Sequence, residues 1–156
     1  MRKTGSTFLL ARERNDDLYR VYKESIKKQL SLYGKICRTN LFIQVVNSPA
    51  SRYWVSPERA TSVIYKMEKS FKKIKGERNI PTKGMKRNTT LFYESLYSEY
   101  KLYKEFHPEM TIKEVVAIVI LLPAPCFILS PTVAGLIVDK MKRKCREQNV
   151  RQLNSY

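Results

Sequence analysis

PASRYWVSPERATSVIYKM, residues 49–67, returns as PAPCFILSPTVAGLIVDKM at residues 123–141. An ungapped shift of 74 positions matches Pro49/Pro123, Ala50/Ala124, Ser56/Ser130, Pro57/Pro131, Ala60/Ala134, Lys66/Lys140 and Met67/Met141, seven identities in nineteen positions. Tyr53/Phe127, Val55/Leu129, Val63/Ile137 and Ile64/Val138 are near-equivalents. Carried upstream, the same register pairs Leu41-Phe42 with Val115-Val116 and Val45-Val46 with Val119-Ile120. It also pairs Leu18, Tyr22 and Ile26 with Phe92, Leu96 and Tyr100. A series this long in one register marks an internal duplication, which governs the rest of the reading.

Each copy divides into three helices. In copy one, Leu18, Tyr22, Ile26, Leu30 and Tyr33 form an apolar stripe over Asp16 to Tyr33, with Asn15 or Asp16 as N-cap and Gly34 as the stop. A short helix over Thr39 to Asn47 ends at Ser48-Pro49. The third helix starts with Ser56 as N-cap, Pro57 at its first position and Glu58 near its positive end. Its inner face is Ala60, Val63, Ile64, Met67 and Phe71. Copy two gives Thr90–Phe106, Thr111–Leu122 and Ser130–Arg146, and Thr111-Ile112-Lys113-Glu114 has the form of a capping box.

The expected fold is therefore all-α, with two tandem three-helix repeats, helix-turn-helix-like, joined by a basic linker. Residues 1–71 form the first repeat with an N-terminal arm, 72–87 the linker, 88–146 the second repeat and 147–156 a basic tail that frays. The linker holds seven basic residues and one acid, punctuated by Gly76, Pro81 and Gly84. The Ser48 to Val55 connection exceeds the roughly three or four residues of a helix-turn-helix turn. Tyr53 and Trp54 within it are expected to pin the third helix. The architecture is similar to Myb-like repeats, without their spaced tryptophans, since Trp54 is the only one. The element Pro49 to Ala60 also resembles one found in small basic proteins of gut bacteria and their phages; no activity is implied by that resemblance.

Val115 to Val138 is a run of 24 residues without a charge, followed by Lys140, Lys142, Arg143 and Lys144. Its length suits a membrane span. Against this stand Pro123, Pro125 and Pro131, which interrupt any helix, and the equivalent segment of copy one, which carries Gln44, Asn47, Arg52, Glu58 and Arg59. Two copies of one unit share one solvent, so the run is read as buried helix, turn and buried helix. Copy two is apolar on more sides than a free three-helix unit requires. Leu121, Leu122, Val133 and Leu136 are the expected contacts with copy one, a second subunit or a partner protein.

The 156 residues carry 30 Lys+Arg against 14 Asp+Glu, a formal charge of +16, which directs attention to polyanionic partners. No catalytic set assembles around the single His107, and no metal site or cofactor site is indicated. The odd, well-separated Cys37, Cys126 and Cys145 fit a reducing, cytoplasmic setting, or a virion. The basic N-terminus lacks an apolar run long enough for a signal peptide.

The expectation is a non-enzymatic nucleic-acid-binding protein, DNA before RNA, regulatory or architectural. Phosphate contacts are assigned to Arg52, Arg59, Lys66, Lys69, Lys72, Lys73 and Lys75, and in copy two to Lys140, Lys142, Arg143 and Lys144; Arg59 and Ser62 are assigned to base edges. The aromatic run Leu91 to Tyr103 offers stacking platforms or, by its helical spacing, core. The competing class is an assembly module, such as a phage or virion component docking through its apolar second repeat. A membrane-anchored protein is third.

Overall fold

Six α-helices follow in order: α1 Gly5–Tyr33, α2 Arg38–Val46, α3 Pro57–Lys73, α4 Arg87–Phe106, α5 Ile112–Val119 and α6 Pro131–Leu153. This computed structural model describes residues 5–73 and 87–155, with side chains over 9–70 and 87–155. There is no strand among the described residues, and the fold is all-α. Linker residues 74–86 lie outside them, as does the side chain of Phe71.

The helix starts follow from local chemistry. Ser56 Oγ accepts the backbone N–H of Arg59 at 3.2 Å, and Ser130 Oγ accepts that of Val133 at 3.2 Å, so both third helices begin with the same cap ahead of a proline. At α5 the capping box is complete: Thr111 Oγ1 accepts from Glu114 N–H, and Glu114 Oε2 accepts from Thr111 N–H, each at 3.3 Å. Gly34, at φ +68°, ends α1 and donates its N–H to Leu30 C=O.

Two helix ends differ most from the sequence expectation. Asn15 and Asp16 lie inside α1, which begins at Gly5, so the supposed N-terminal arm is helical from there on. No proline or glycine intervenes between Ser6 and Tyr33 to stop it. The expected fraying tail is also helical: α6 continues past Arg146 to Leu153. The α1 stripe holds at Leu18 and Tyr22, but Leu30 and Tyr33 are exposed, and Val21, Ser25 and Gln29 are buried instead. A four-residue step advances about 40° more than one turn, so by Leu30 the series has rotated roughly 120° away from Leu18.

Packing sorts the helices into two units that cut across the two sequence copies. One comprises Met1–Ala11 and Pro49–Ile128, and so contains α3, α4 and α5. The other comprises Arg12–Ser48 and Leu129–Tyr156, with α2, α6 and most of α1. The third helix of each copy has joined the first two helices of the other.

In the α3–α4–α5 unit, Ala60, Val63, Ile64 and Met67 of α3 are buried with Phe92, Leu96 and Tyr100 of α4 and Val115, Val116 and Val119 of α5. α3 packs on both α5 and α4. Tyr53, 1 % exposed, meets Phe92 edge to face at 5.1 Å, and its hydroxyl lies 2.6 Å from Ser95 Oγ. The connector leading into α3 is thus pinned to α4. The Tyr97 hydroxyl donates to Glu68 Oε1 at 3.1 Å, a second tie between α4 and α3. Ala50 and Ala124 exchange backbone hydrogen bonds at 3.0 and 3.1 Å in an isolated antiparallel bridge. These two are the same position of the two copies.

In the other unit, Leu18, Val21 and Tyr22 of α1, Leu41, Phe42, Val45 and Val46 of α2, and Ala134 and Val138 of α6 are buried. Gly135 brings α6 close to α2: a Cβ there would lie 3.5 Å from the Phe42 ring. Tyr22 stacks on Phe42 at 5.6 Å, and Arg38 Nη2 pairs with Asp139 Oδ2 at 2.7 Å.

The uncharged run Val115 to Val138 is divided between α5, an irregular segment and α6. No helix among the described residues is long and apolar enough to cross a membrane.

Because each unit draws helices from both sides of residues 74–86, cutting a protease site introduced there leaves two fragments that co-elute at the size of the intact chain. Separation of the fragments on gel filtration without denaturant would contradict the exchange. Burial also holds the Tyr53, Tyr97 and Tyr100 phenols above their ordinary value of 10.0, with Glu68 reinforcing the shift at Tyr97 and Tyr100. Above pH 10 the unfolded chain sheds these protons first, so the native state binds more protons and stability falls as pH rises. The melting temperature is expected to decline past pH 10; all ten tyrosines titrating with a midpoint near pH 10 while native circular dichroism is retained would refute this.

Candidate nucleic-acid interface

The outer side of α3 follows from the inner one. With Ala60, Val63, Ile64 and Met67 buried, Arg59, Ser62, Lys66 and Lys69 fall on the opposite side, three, four and three residues apart, and all four are exposed. The stripe they form is about 15 Å long at a rise of 1.5 Å per residue. Tyr65 stands beside it, half exposed, with Lys69 Nζ 4.7 Å from its ring centroid.

Among the described residues the ion pairs are Arg20–Asp17, Arg20–Glu24 and Arg38–Asp139. None involves Arg59, Lys66 or Lys69, so within that set no carboxylate lies within 4.0 Å of these three cations.

Arg52 is placed differently from the other assigned cations. It is half-buried in the connector before α3, its guanidinium 5.0 Å from the Trp54 ring centroid, and so helps to hold the turn. Lys72, Lys73 and Lys75 lie outside the residues whose side chains are described.

In the second unit, Lys140, Arg143 and Lys144 are exposed along α6, and within the described set they too are free of ion pairs. Lys142 is half-buried, its ammonium 4.6 Å from the Tyr22 ring centroid, and serves to fasten α6 to α1. It occupies the position of Glu68 in copy one, which accepts a hydrogen bond from the Tyr97 hydroxyl. Equivalent positions of the third helices thus each hold a tyrosine from the first helix of the other copy.

The outer faces of α3 and α6 are chemically unlike. Arg59, Ser62 and Tyr65 correspond to Val133, Leu136 and Asp139, while Lys66 and Lys69 correspond to Lys140 and Arg143. Val133 and Leu136 are exposed, and Asp139 is committed to Arg38. Leu121 and Leu122, in the first unit, are exposed as well.

Most of the aromatic run of α4 is core: Phe92, Tyr93, Leu96, Tyr97 and Tyr100 are all buried and are removed as stacking platforms, while Tyr103 is half-buried and stacks on His107. Tyr65, half exposed beside the stripe, is an aromatic that sequence reasoning placed on the outer face but not among the candidate site residues. Its signal was its place between Ser62 and Lys66 on the outer face, the same signal that marked Arg59.

Comparison with known protein families, curated proteins and solved structures finds no match to this chain.

The two roles assigned to lysines on α6 are separable. Lys142→Ala is expected to lower stability by about 0.5–1 kcal/mol through loss of its ring contact. Lys140→Ala and Arg143→Ala should stay within about 0.5 kcal/mol of the parent. Urea denaturation checks this; equal effects of all three substitutions would contradict the assignment.

Proposed function

We propose that this chain is a nucleic-acid-binding protein, DNA before RNA, with a regulatory or architectural role and no catalytic one. The observation that carries the reading is the α3 stripe: Arg59, Lys66 and Lys69 stand side by side on a single helix face, with no carboxylate of the described set within 4.0 Å of them. Cations arranged this way neutralise successive phosphates and release condensed counterions. The α6 patch of Lys140, Arg143 and Lys144 adds a second such surface.

A helix-turn-helix-like presentation suits the reading in an altered form. The three-helix set α4, α5 and α3 combines the first and second helices of copy two with the third helix of copy one. That third helix turns a well-capped, basic outer face away from its apolar contacts. Ser62 contributes a hydroxyl able to donate and accept on the same face.

The test is fluorescence anisotropy with labelled mixed-sequence DNA, as duplex and as single strand, between about 50 and 200 mM salt. Affinity should fall steeply with salt, and the combined variant Arg59→Ala/Lys66→Ala/Lys69→Ala should flatten the log–log slope by about two to three. Absence of binding at low salt, or a salt slope that the triple substitution leaves unchanged, would overturn the proposal.

A further inference from the structure

We infer that the α3 face takes unpaired rather than duplex nucleic acid, stacking a base on Tyr65 while Arg59, Lys66 and Lys69 hold the flanking phosphates. This rests on α3 being the nucleic-acid face, and specifies what that face meets.

Two observations on α3 and one on its twin helix point the same way. Tyr65 leaves half of its surface in water, beside the basic stripe, where phosphate contact alone needs no ring. The ring already has a cation 4.7 Å from its centroid, supplied by Lys69 one turn along the same helix. Lys69 thereby restricts the ring's rotamers before any ligand arrives, so less conformational freedom is lost on stacking. The twin helix has Asp139 at this position, turned to an ion pair with Arg38, so the duplicated scaffold does not itself require an aromatic here.

The faces of bases in an intact duplex are covered by their neighbours, and a tyrosine ring beside the groove has no π-surface to meet. In a single strand every base offers one, and base–aromatic stacking is sequence-tolerant. The surroundings of Tyr65 match this pattern: Lys66 and Lys69 follow it on the helix, and a serine hydroxyl lies one turn back.

The experiment compares the full-length protein with Tyr65→Ala, Tyr65→Phe and Lys66→Ala. Probes are a mixed-sequence single strand of about 16 nucleotides, as DNA and as RNA, and the corresponding DNA duplex. The inference predicts that at least one single strand binds more tightly than the duplex. Tyr65→Ala should weaken single-strand binding by roughly 5- to 150-fold without altering the salt slope. Tyr65→Phe should bind like the parent, and Lys66→Ala should reduce the slope. Circular dichroism confirms that each variant is folded, as expected for a half-exposed position. Equal or tighter duplex binding, or a folded Tyr65→Ala variant with parental affinity, would overturn this inference while leaving nucleic-acid binding intact. Failure of every probe to bind at low salt would instead remove the underlying reading.

Discussion

Ala50 and Ala124 donate to each other's carbonyl oxygens at 3.0 and 3.1 Å, and each is 3 % exposed or less. They are equivalent residues of the two copies, each directly after a proline at the start of the connector that leads to a third helix. The pairing sets the two connectors side by side and antiparallel, with Tyr53 N–H bonded to Ile120 C=O next to it. From there the chain that arrived from α2 continues into α3, beside α4 and α5. The chain that arrived from α5 continues into α6, which packs on α2. An apolar helix face must be buried somewhere, and in this chain each third helix buries its own among helices of the other copy.

The charge imbalance shapes the surface as much as the partner list. With 30 basic residues against 14 acids, ion pairing cannot satisfy most of the cations. Aromatic rings engage several of the cations. Lys23, Lys69, Lys101 and Lys142 lie over tyrosines, Arg38 over Phe42 and Arg52 over Trp54. Each such contact contributes about 0.5–1 kcal/mol at an exposed site. Several of these cations therefore have packing roles, and a basic residue's place in the sequence does not by itself assign it to a ligand. Lys142 and Arg52 show this most clearly; Arg59 and Lys66 instead lie exposed on the outer face of α3.

What was legible in the sequence was local. Ser56-Pro57, Ser130-Pro131 and Thr111 with Glu114 specify helix starts through bonds spanning three residues, and every one forms as expected. The buried faces at Ala60, Val63 and Ile64 and at Ala134 and Val138 were legible by their spacing. The exchange was not, and the duplication itself explains why. Third helices that share Ala60/Ala134, Val63/Ile137, Ile64/Val138 and Met67/Met141 carry nearly the same apolar pattern, so spacing alone does not say which pair of helices each packs on. Helix ends without a breaker were equally hidden: residues 147–153 contain no proline or glycine, and nothing in them marks where α6 stops. The candidate site was legible in part, since the pattern that buries Ile64 exposes Arg59, Ser62 and Lys66. Lys142 and Arg52 looked like the others because their ring partners, Tyr22 and Trp54, act through folded geometry.

Methyl-resolved nuclear Overhauser spectra of the full chain test the exchange most directly. Methyl groups of Ile64 and Met67 should show cross-peaks to Val115, Val116 or Val119 of α5, and the ring of Tyr53 should show them to Phe92. Cross-peaks from Ile64 and Met67 to Leu41 and Val45 of α2 in their place would mean that each copy folds on itself, and would contradict the account.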